Sequence, residues 1–250
     1  MPTPPVPMPV EQRTTLVLND SELLTVQTTP VALRNWAQGF LYTEGIISSL
    51  QDLRSLVVDE ATGTVRADVD PELLAGRELA ATRYLTSGCG KGVTFSSIKD
   101  AMMLRPVRHG LTVAPEQLAI WIRQMQKQMP LYAESGGMHG AAVVQVATGE
   151  MVVREDIGRH NAVDKAIGAA LEAGWPGSEV VLLTTGRMSY EMCAKMARYC
   201  VGVGASLTAA TDQAVRLANR LGIDLLGYVR RLDQLSLYTA GARLEGGERP

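Results

Sequence analysis

The second half of the chain alternates helical and strand periods, and that alternation admits few folds. Ala141 to Ala147 and Met151 to Glu155 are apolar runs split by Thr148-Gly149, the pattern of a hairpin. Asn161 to Ala173 then has helical spacing and closes on Gly174. Val180 to Thr184 is a strand, Ser189 to Tyr199 a helix, Val201 to Leu207 a strand, and Thr211 to Leu221 a helix closed by Gly222. Ile223 to Val229 and Leu235 to Thr239 are the last strands, and Pro115 to Met129 is a helix opened by proline. A hairpin followed by alternating strand and helix predicts an α/β domain, a sheet covered by helices in a three-layer arrangement.

The first half is less regular. Arg13 to Thr28 alternates around Asn19-Asp20-Ser21 and reads as a hairpin. Thr29-Pro30 has the form of a cap followed by proline at the first helical position, which predicts a helix to about Ile47. LRSLVVD and TVRADVD, between Leu53 and Asp70, are strands separated by Ala61-Thr62-Gly63. An amphipathic segment runs to about Met103, and Leu104 to Gly110 (LRPVRHG) reads as a junction. The division expected is a flexible arm over 1–12, a small α+β domain over 13–108 that ends in a cysteine loop, and an α/β domain over 109–250.

Composition narrows the function. With 46% apolar residues, 250 positions suffice for a sizeable core. The net charge of −2 argues against a nucleic-acid binder, which carries a basic surplus. No apolar run approaches the ~20 residues of a membrane span, and MPTPPVPMPVEQR lacks the basic and apolar regions of a secretory signal. Cys89, Cys193 and Cys200 are too few and scattered for a disulfide framework, so a cytoplasmic protein with reduced thiols is expected.

One cysteine stands apart. In Leu85 to Gly92 (LTSGCGKG), Gly88 and Gly90 strip side chains from both sides of Cys89 and Lys91 favours its thiolate. The position three residues on is Gly92, so this is neither a CxxC redox pair nor half of a zinc knuckle. An exposed thiol without a resolving partner suits a nucleophile, or a carrier that holds a group as a persulfide. Cys193 and Cys200 lie among Met192, Ala194, Met196 and Ala197 and read as small core residues.

Three strand-end turns gather polar residues. Arg154 to Lys165 (REDIGRHNAVDK) crowds Glu155, Asp156, Arg159, His160, Asn161, Asp164 and Lys165 at a strand-to-helix turn. That is a well-capped, solvated helix start, or an anion site built on Arg159 and His160. Thr184 to Glu191 (TTGRMSYE) offers Ser189 as a cap and Arg187 as a ligand contact or a surface arginine. Gly227 to Asp233 (GYVRRLD) offers Arg230 and Arg231 to phosphate, or to solvent. His139, after Gly136-Gly137, begins a strand as a contact or a satisfied histidine. Ligands of open α/β sheets bind beyond the carboxyl ends of strands, so three such turns favour one pocket.

As a set these segments resemble the FdhD family of sulfur carrier proteins. EDIGRHNAVDK, TGRMSYEM, the glycine-wrapped Cys89, Gly136-Gly-Met-His-Gly-Ala, YVRRLDQLSLYT and the early Gly39-Phe-Leu-Tyr-Thr-Glu-Gly-Ile-Ile47 carry the likeness, over nearly the whole chain from Leu16 to Thr239. The resemblance implies a cytidine-deaminase-like three-layer α/β/α domain with a smaller N-terminal α+β domain, and a dimer. It implies that Cys89 takes sulfur from a cysteine desulfurase as a persulfide and passes it to a molybdenum (or tungsten) bis-guanine-dinucleotide pterin cofactor destined for formate dehydrogenase. That activity is a sulfurtransferase's. The family's cofactor-contacting segment falls on Tyr228, Val229, Arg230, Arg231, Leu232 and Asp233, and Arg159 and His160 are candidate phosphate contacts. The chain lacks the H-x-E or C-x-E element and the PCxxC of a zinc deaminase, so no metal site is expected.

There are departures. Many members carry CxxC where this chain has Cys89 and Gly92, so a relay between two thiols is absent from this motif. The family's Ala-Pro-Thr is Ala209-Ala-Thr211, and the phenylalanine before its C-terminal arginine is Tyr228. Two other functions fit the residues: a cofactor-binding chaperone that needs no thiol, and a hydrolase using Cys89 with His160 or His139.

Overall fold

The computed structural model describes residues 7–74, 83–85, 104–108 and 110–245. β1 (Gln12–Leu18) and β2 (Ser21–Thr28) pair antiparallel with Leu18 opposite Ser21. The two residues between them, Asn19 and Asp20, have φ of 45° and 64°. Positive φ at both positions is the type I′ turn that matches strand twist, and asparagine and aspartate tolerate it best after glycine.

α1 (Leu33–Thr43) follows, then β3 (Leu53–Asp59), β4 (Thr64–Val69), the single turn α2 (Pro71–Leu74) and β5 (Arg83–Leu85). The sheet order is β3-β4-β1-β2-β5. The helix opens later than the Thr29-Pro30 signal predicts. Thr29 is spent elsewhere: its N–H donates to the Asp156 carboxylate at 3.0 Å and its hydroxyl accepts from the Ile157 N–H at 3.1 Å. Ala32, in the left-handed region at φ 55°, becomes the residue before the helix. The helix also stops at Thr43, and Ile46 and Ile47 turn back so that both N–H groups reach the Leu41 carbonyl.

The larger unit starts with α3 (Pro115–Lys127) and α4 (Pro130–Ser135). It continues through β6 (His139–Gln145), β7 (Met151–Asp156), α5 (Arg159–Glu172), β8 (Val180–Thr184), α6 (Tyr190–Arg198), β9 (Val203–Ser206), α7 (Asp212–Leu221), β10 (Asp224–Gly227) and β11 (Ser236–Leu237). The six strands are ordered β11-β10-β9-β8-β6-β7. Pro130 divides the single helix expected up to Met129 from a second one that the sequence left unmarked, and the terminal strand is shorter than expected. Side chains of a strand alternate between faces. Ala141, Val143, Val180 and Leu182 face α5, α6 and α7, whereas Ala142, Val144, Val181 and Leu183 face α3. Both faces are therefore covered, the three-layer α/β/α domain that the pattern predicts.

The two units share α1, which is buried nearly all round. Leu33, Trp36, Phe40 and Leu41 pack on the small sheet, and the opposite side lies on α5. Fully burying a side chain such as Leu41 contributes about 1.5–3 kcal/mol. The helices touch at glycines: a Cβ on Gly39 would collide with the Asp164 carbonyl, and one on Gly168 with that of Asn35. Lys195, 3% exposed, crosses the same junction, its ammonium 2.8 Å from Asp164, 3.2 Å from Glu44 and 2.9 Å from the Thr43 hydroxyl. Val107, in the segment read as a junction, belongs to the core of the larger unit, and its N–H donates to Leu221 at the end of α7.

Candidate functional site

Pairing places all the polar turns at one edge of the larger sheet. His139, the first residue of β6, lies opposite Asp156, the last of β7, and Ala141 lies opposite Thr184, the last of β8. Thr184 pairs in turn with Ser206, the end of β9. The loops after β7, β8, β9 and β10 and the Gly136-Gly137 turn thus emerge together.

Hydrogen bonds lock the loops to one another. The Thr185 hydroxyl accepts from the Gly140 N–H at 3.0 Å and lies 3.4 Å from His139 Nδ1. Ser206 donates to the Gly186 carbonyl at 2.7 Å and accepts from the Thr208 N–H at 2.9 Å. Tyr228 donates its N–H to Thr208 O and Val229 its N–H to Ser206 O. Between these loops opens a cleft of about 440 Å³. Gln126, His139, Thr185, Thr208 and Arg230 bring polar groups to its lining, and Met129, Tyr132 and Gly136 line it too.

The start of α5 is fixed by Asp156, which is fully buried. Its Oδ2 accepts from Lys165 Nζ at 2.7 Å and from Thr29, and its Oδ1 accepts from the Gly158 N–H at 2.8 Å and Asn161 Nδ2 at 3.0 Å. A buried carboxylate with four donors is a fully satisfied group, and it sets where the helix and the loop after β2 meet. Burial presses the Lys165 pKa below the ordinary lysine value, against the pull of Asp156.

The predicted residues divide. Arg230 lines the cleft. Arg159 lies along Gly186, where a Cβ would meet its side chain, and its buried Nε has no hydrogen-bond partner among the described residues. Such a donor is available to an anion. His160 Nε2 is 2.9 Å from the Glu191 carboxylate, and this hydrogen bond first among causes holds Glu191 below the usual carboxylate range. Arg231 turns away and pairs with Asp233 at 2.7 Å, both mostly exposed. Val229 is buried in the core beneath α3, and Leu232 opens a 3-10 turn. Tyr228 is 46% exposed with φ 54°, an unusual conformation for a bulky residue and one that marks functional loops. Arg187 is exposed and Ser189 caps α6, accepting from Met192. Of the cysteines read as core, Cys193 is buried, its thiol pushed up to about 12 by desolvation, whereas Cys200 is exposed, because the chain leaves α6 there at φ 64° and turns its side chain outward. Cys89 lies outside the described residues. Tyr132 and Thr208 carried no signal in the sequence, because a lone tyrosine after Pro130 and a lone threonine match no pattern.

Burial lowers the His139 pKa first, and the Arg159 and His160 charges lower it further against the opposing pull of Asp156. The folded form therefore binds its proton less readily than the unfolded chain, so acidification through the ordinary histidine range near pH 6.5 weakens folding. Replacing Arg159 by glutamine removes a repulsive charge, and the His139 midpoint is expected to rise in an NMR titration. An unmoved midpoint would place the Arg159 charge away from the cleft.

A mixed sheet covered on both faces, with polar loops gathered around one cleft beyond its strand ends, makes this an α/β protein. A family model described as FdhD/NarQ family matches residues 9–245, and the chain belongs to that family. It is 34% identical over 216 residues to the sulfur carrier protein FdhD of Staphylococcus aureus (strain MRSA252), an alignment covering 86% of this chain and 81% of that protein. The protein of the same name from strain Newman matches to the same extent. In fold, the chain is similar to a solved structure named as a formate dehydrogenase accessory protein from Desulfotalea psychrophila, with TM-score 0.75 at 24% identity over 94% of this chain and 90% of that one. No helix among the described residues is long and apolar enough to cross a membrane.

Proposed function

We propose that this protein is a sulfur carrier acting as a sulfurtransferase, which loads sulfur from a cysteine desulfurase on Cys89 and delivers it to the bis-guanine-dinucleotide molybdenum or tungsten cofactor of a formate dehydrogenase. Family membership, with relatives named as sulfur carriers, is the observation that carries the reading. The cleft supports it, since it offers Arg230 and His139 to the phosphates of such a cargo.

The chemistry needs little of the protein. The Cys89 thiolate attacks the outer sulfur of the donor's persulfide, and the donor's cysteine leaves as thiolate. On delivery the bond between the two sulfurs breaks and its electron pair returns to Cys89, while the outer sulfur, left at the zero-valent level, takes two electrons from the reduced metal of the cargo and so becomes its sulfide ligand. Neither step calls for a resolving thiol, so Gly92 in place of a second cysteine is compatible with transfer. The hydrolase alternative gains nothing from His160, whose Nε2 faces Glu191.

Two measurements test the reading. Reduced protein incubated with a cysteine desulfurase and cysteine is expected to gain the mass of one sulfur atom on the peptide that holds Cys89. Arg230→Ala is expected to weaken GDP binding by about tenfold, the loss of one charge-assisted contact. Unchanged binding would remove the arginine loop from the site.

A further inference from the structure

A single tyrosine lines the cleft among the described residues, and a carboxylate of the EDIGRH segment holds it. Tyr132 lines the cleft together with Arg230 and His139, and among the described residues that do so it is the only phenylalanine, tyrosine or tryptophan. It is 45% exposed, a large ring surface left to solvent beside a ligand cleft. Its carrier, α4, is six residues long, too short to be stable by itself. What fastens that turn is Glu155 at the end of β7: its Oε1 accepts from the Tyr132 N–H at 2.7 Å and its Oε2 from the Leu131 N–H at 3.1 Å. Glu155 is itself 9% exposed, and it carries this bond from the rigid sheet to the cleft wall. No part of the sulfur chemistry uses it.

This inference rests on reading the cleft as a guanine-nucleotide site. We propose that the Tyr132 ring is the face on which the nucleobase of the cargo stacks, and that Glu155 is the positioning residue that sets that ring. A base has a π-face whatever its edge, so an exposed tyrosine held at a fixed angle binds it at small entropic cost. The phosphates then fall to Arg230 and His139, which line the same cleft. Asparagine-like amides would not replace the Glu155 carboxylate, because a glutamine presents one acceptor and turns an NH₂ group toward the second N–H.

The test is calorimetric titration of the full chain with GDP and, as the base-free control, inorganic pyrophosphate. Tyr132→Ala is expected to weaken GDP by roughly five- to hundredfold, the range of one base–aromatic stack, and to leave pyrophosphate unchanged. Tyr132→Phe is expected to bind GDP as the parent does. Glu155→Gln is expected to weaken GDP selectively, and the double variant Tyr132→Ala/Glu155→Gln to lose no more than Tyr132→Ala alone, since one residue acts through the other. Because Tyr132 is exposed, its variants test the stack even if Glu155→Gln fails to fold. GDP binding unchanged in Tyr132→Ala while Arg230→Ala weakens it would overturn the stacking inference and leave the functional reading in place. Losses that multiply in the double variant would overturn the positioning role of Glu155. A parent protein that binds neither GDP nor pyrophosphate would overturn the cleft reading and this inference with it.

Discussion

Cys89→Ala is expected to abolish sulfur loading outright and, with it, activation of formate dehydrogenase in cells that depend on this protein. The argument is chemical. Only a thiolate both attacks a persulfide and leaves from one, and alanine has no such atom. Cys89→Ser makes the point more sharply, because the hydroxyl keeps the size and loses the nucleophile at neutral pH. GDP binding is expected to persist in both variants, since Arg230 and His139, the contacts assigned to its phosphates, are other residues. Mass spectrometry of the loaded protein and an assay of formate dehydrogenase activity read the two arms. Full enzyme activation by Cys89→Ala would sink the carrier reading in favour of a chaperone that binds the cofactor and needs no thiol. Sulfur found on exposed Cys200 in place of Cys89 would move the chemistry to the residue just after α6.

Lys195→Met is expected to be the most destabilising single change at the junction of the two units, by about 3–5 kcal/mol. The methionine matches the stem of the lysine but leaves the carboxylates of Asp164 and Glu44 buried without their cation. Desolvation opposes the charge of Lys195, yet Asp164 and Glu44 together outweigh it and hold its pKa above the ordinary lysine value. A lysine raised in the folded state contributes stability that is present below its unfolded pKa near 10.5 and is lost as pH rises through the folded value. The parent protein should therefore lose stability on the alkaline side, and the variant should lack that limb. Chemical denaturation followed by circular dichroism, from neutral pH upward, measures both. A loss under 1 kcal/mol would mean that water reaches the junction and screens it.

Much of the fold was legible because hydrophobic period is a local property. The order of strand and helix from Ala141 onward follows from which residues alternate and which recur every third or fourth place, and the pairing in one sheet follows from that order. The hairpin at Asn19-Asp20 was legible for the same reason, since its two residues are those that accept positive φ. The start of α1 was not. Thr29 has the chemistry of a cap, but its donor and acceptor are claimed by Asp156 and Ile157, more than a hundred positions away in sequence. A long-range partner outcompetes a local motif, and no window of sequence contains both.

The same divide runs through the site. Arg159, His160, Arg230 and Cys89 stood out by residue type and by their place in strand-end turns, and the likeness of whole segments to a known family named the chemistry. Which arginine faces the cleft was decided by tertiary structure alone. Arg230 and Arg231 are neighbours of identical chemistry, yet one lines the cleft and the other pairs with Asp233 in solvent, because the turn that follows Tyr228 rotates them apart. Tyr132 and Glu155 came together only through the meeting of α4 with the end of β7. The sequence by itself determined the elements, their order and the reactive groups, since these depend on neighbours along the chain. The cleft, its polar wall and the partner of every buried charge were decided by packing, since each depends on residues that only the folded sheet brings within a few ångströms.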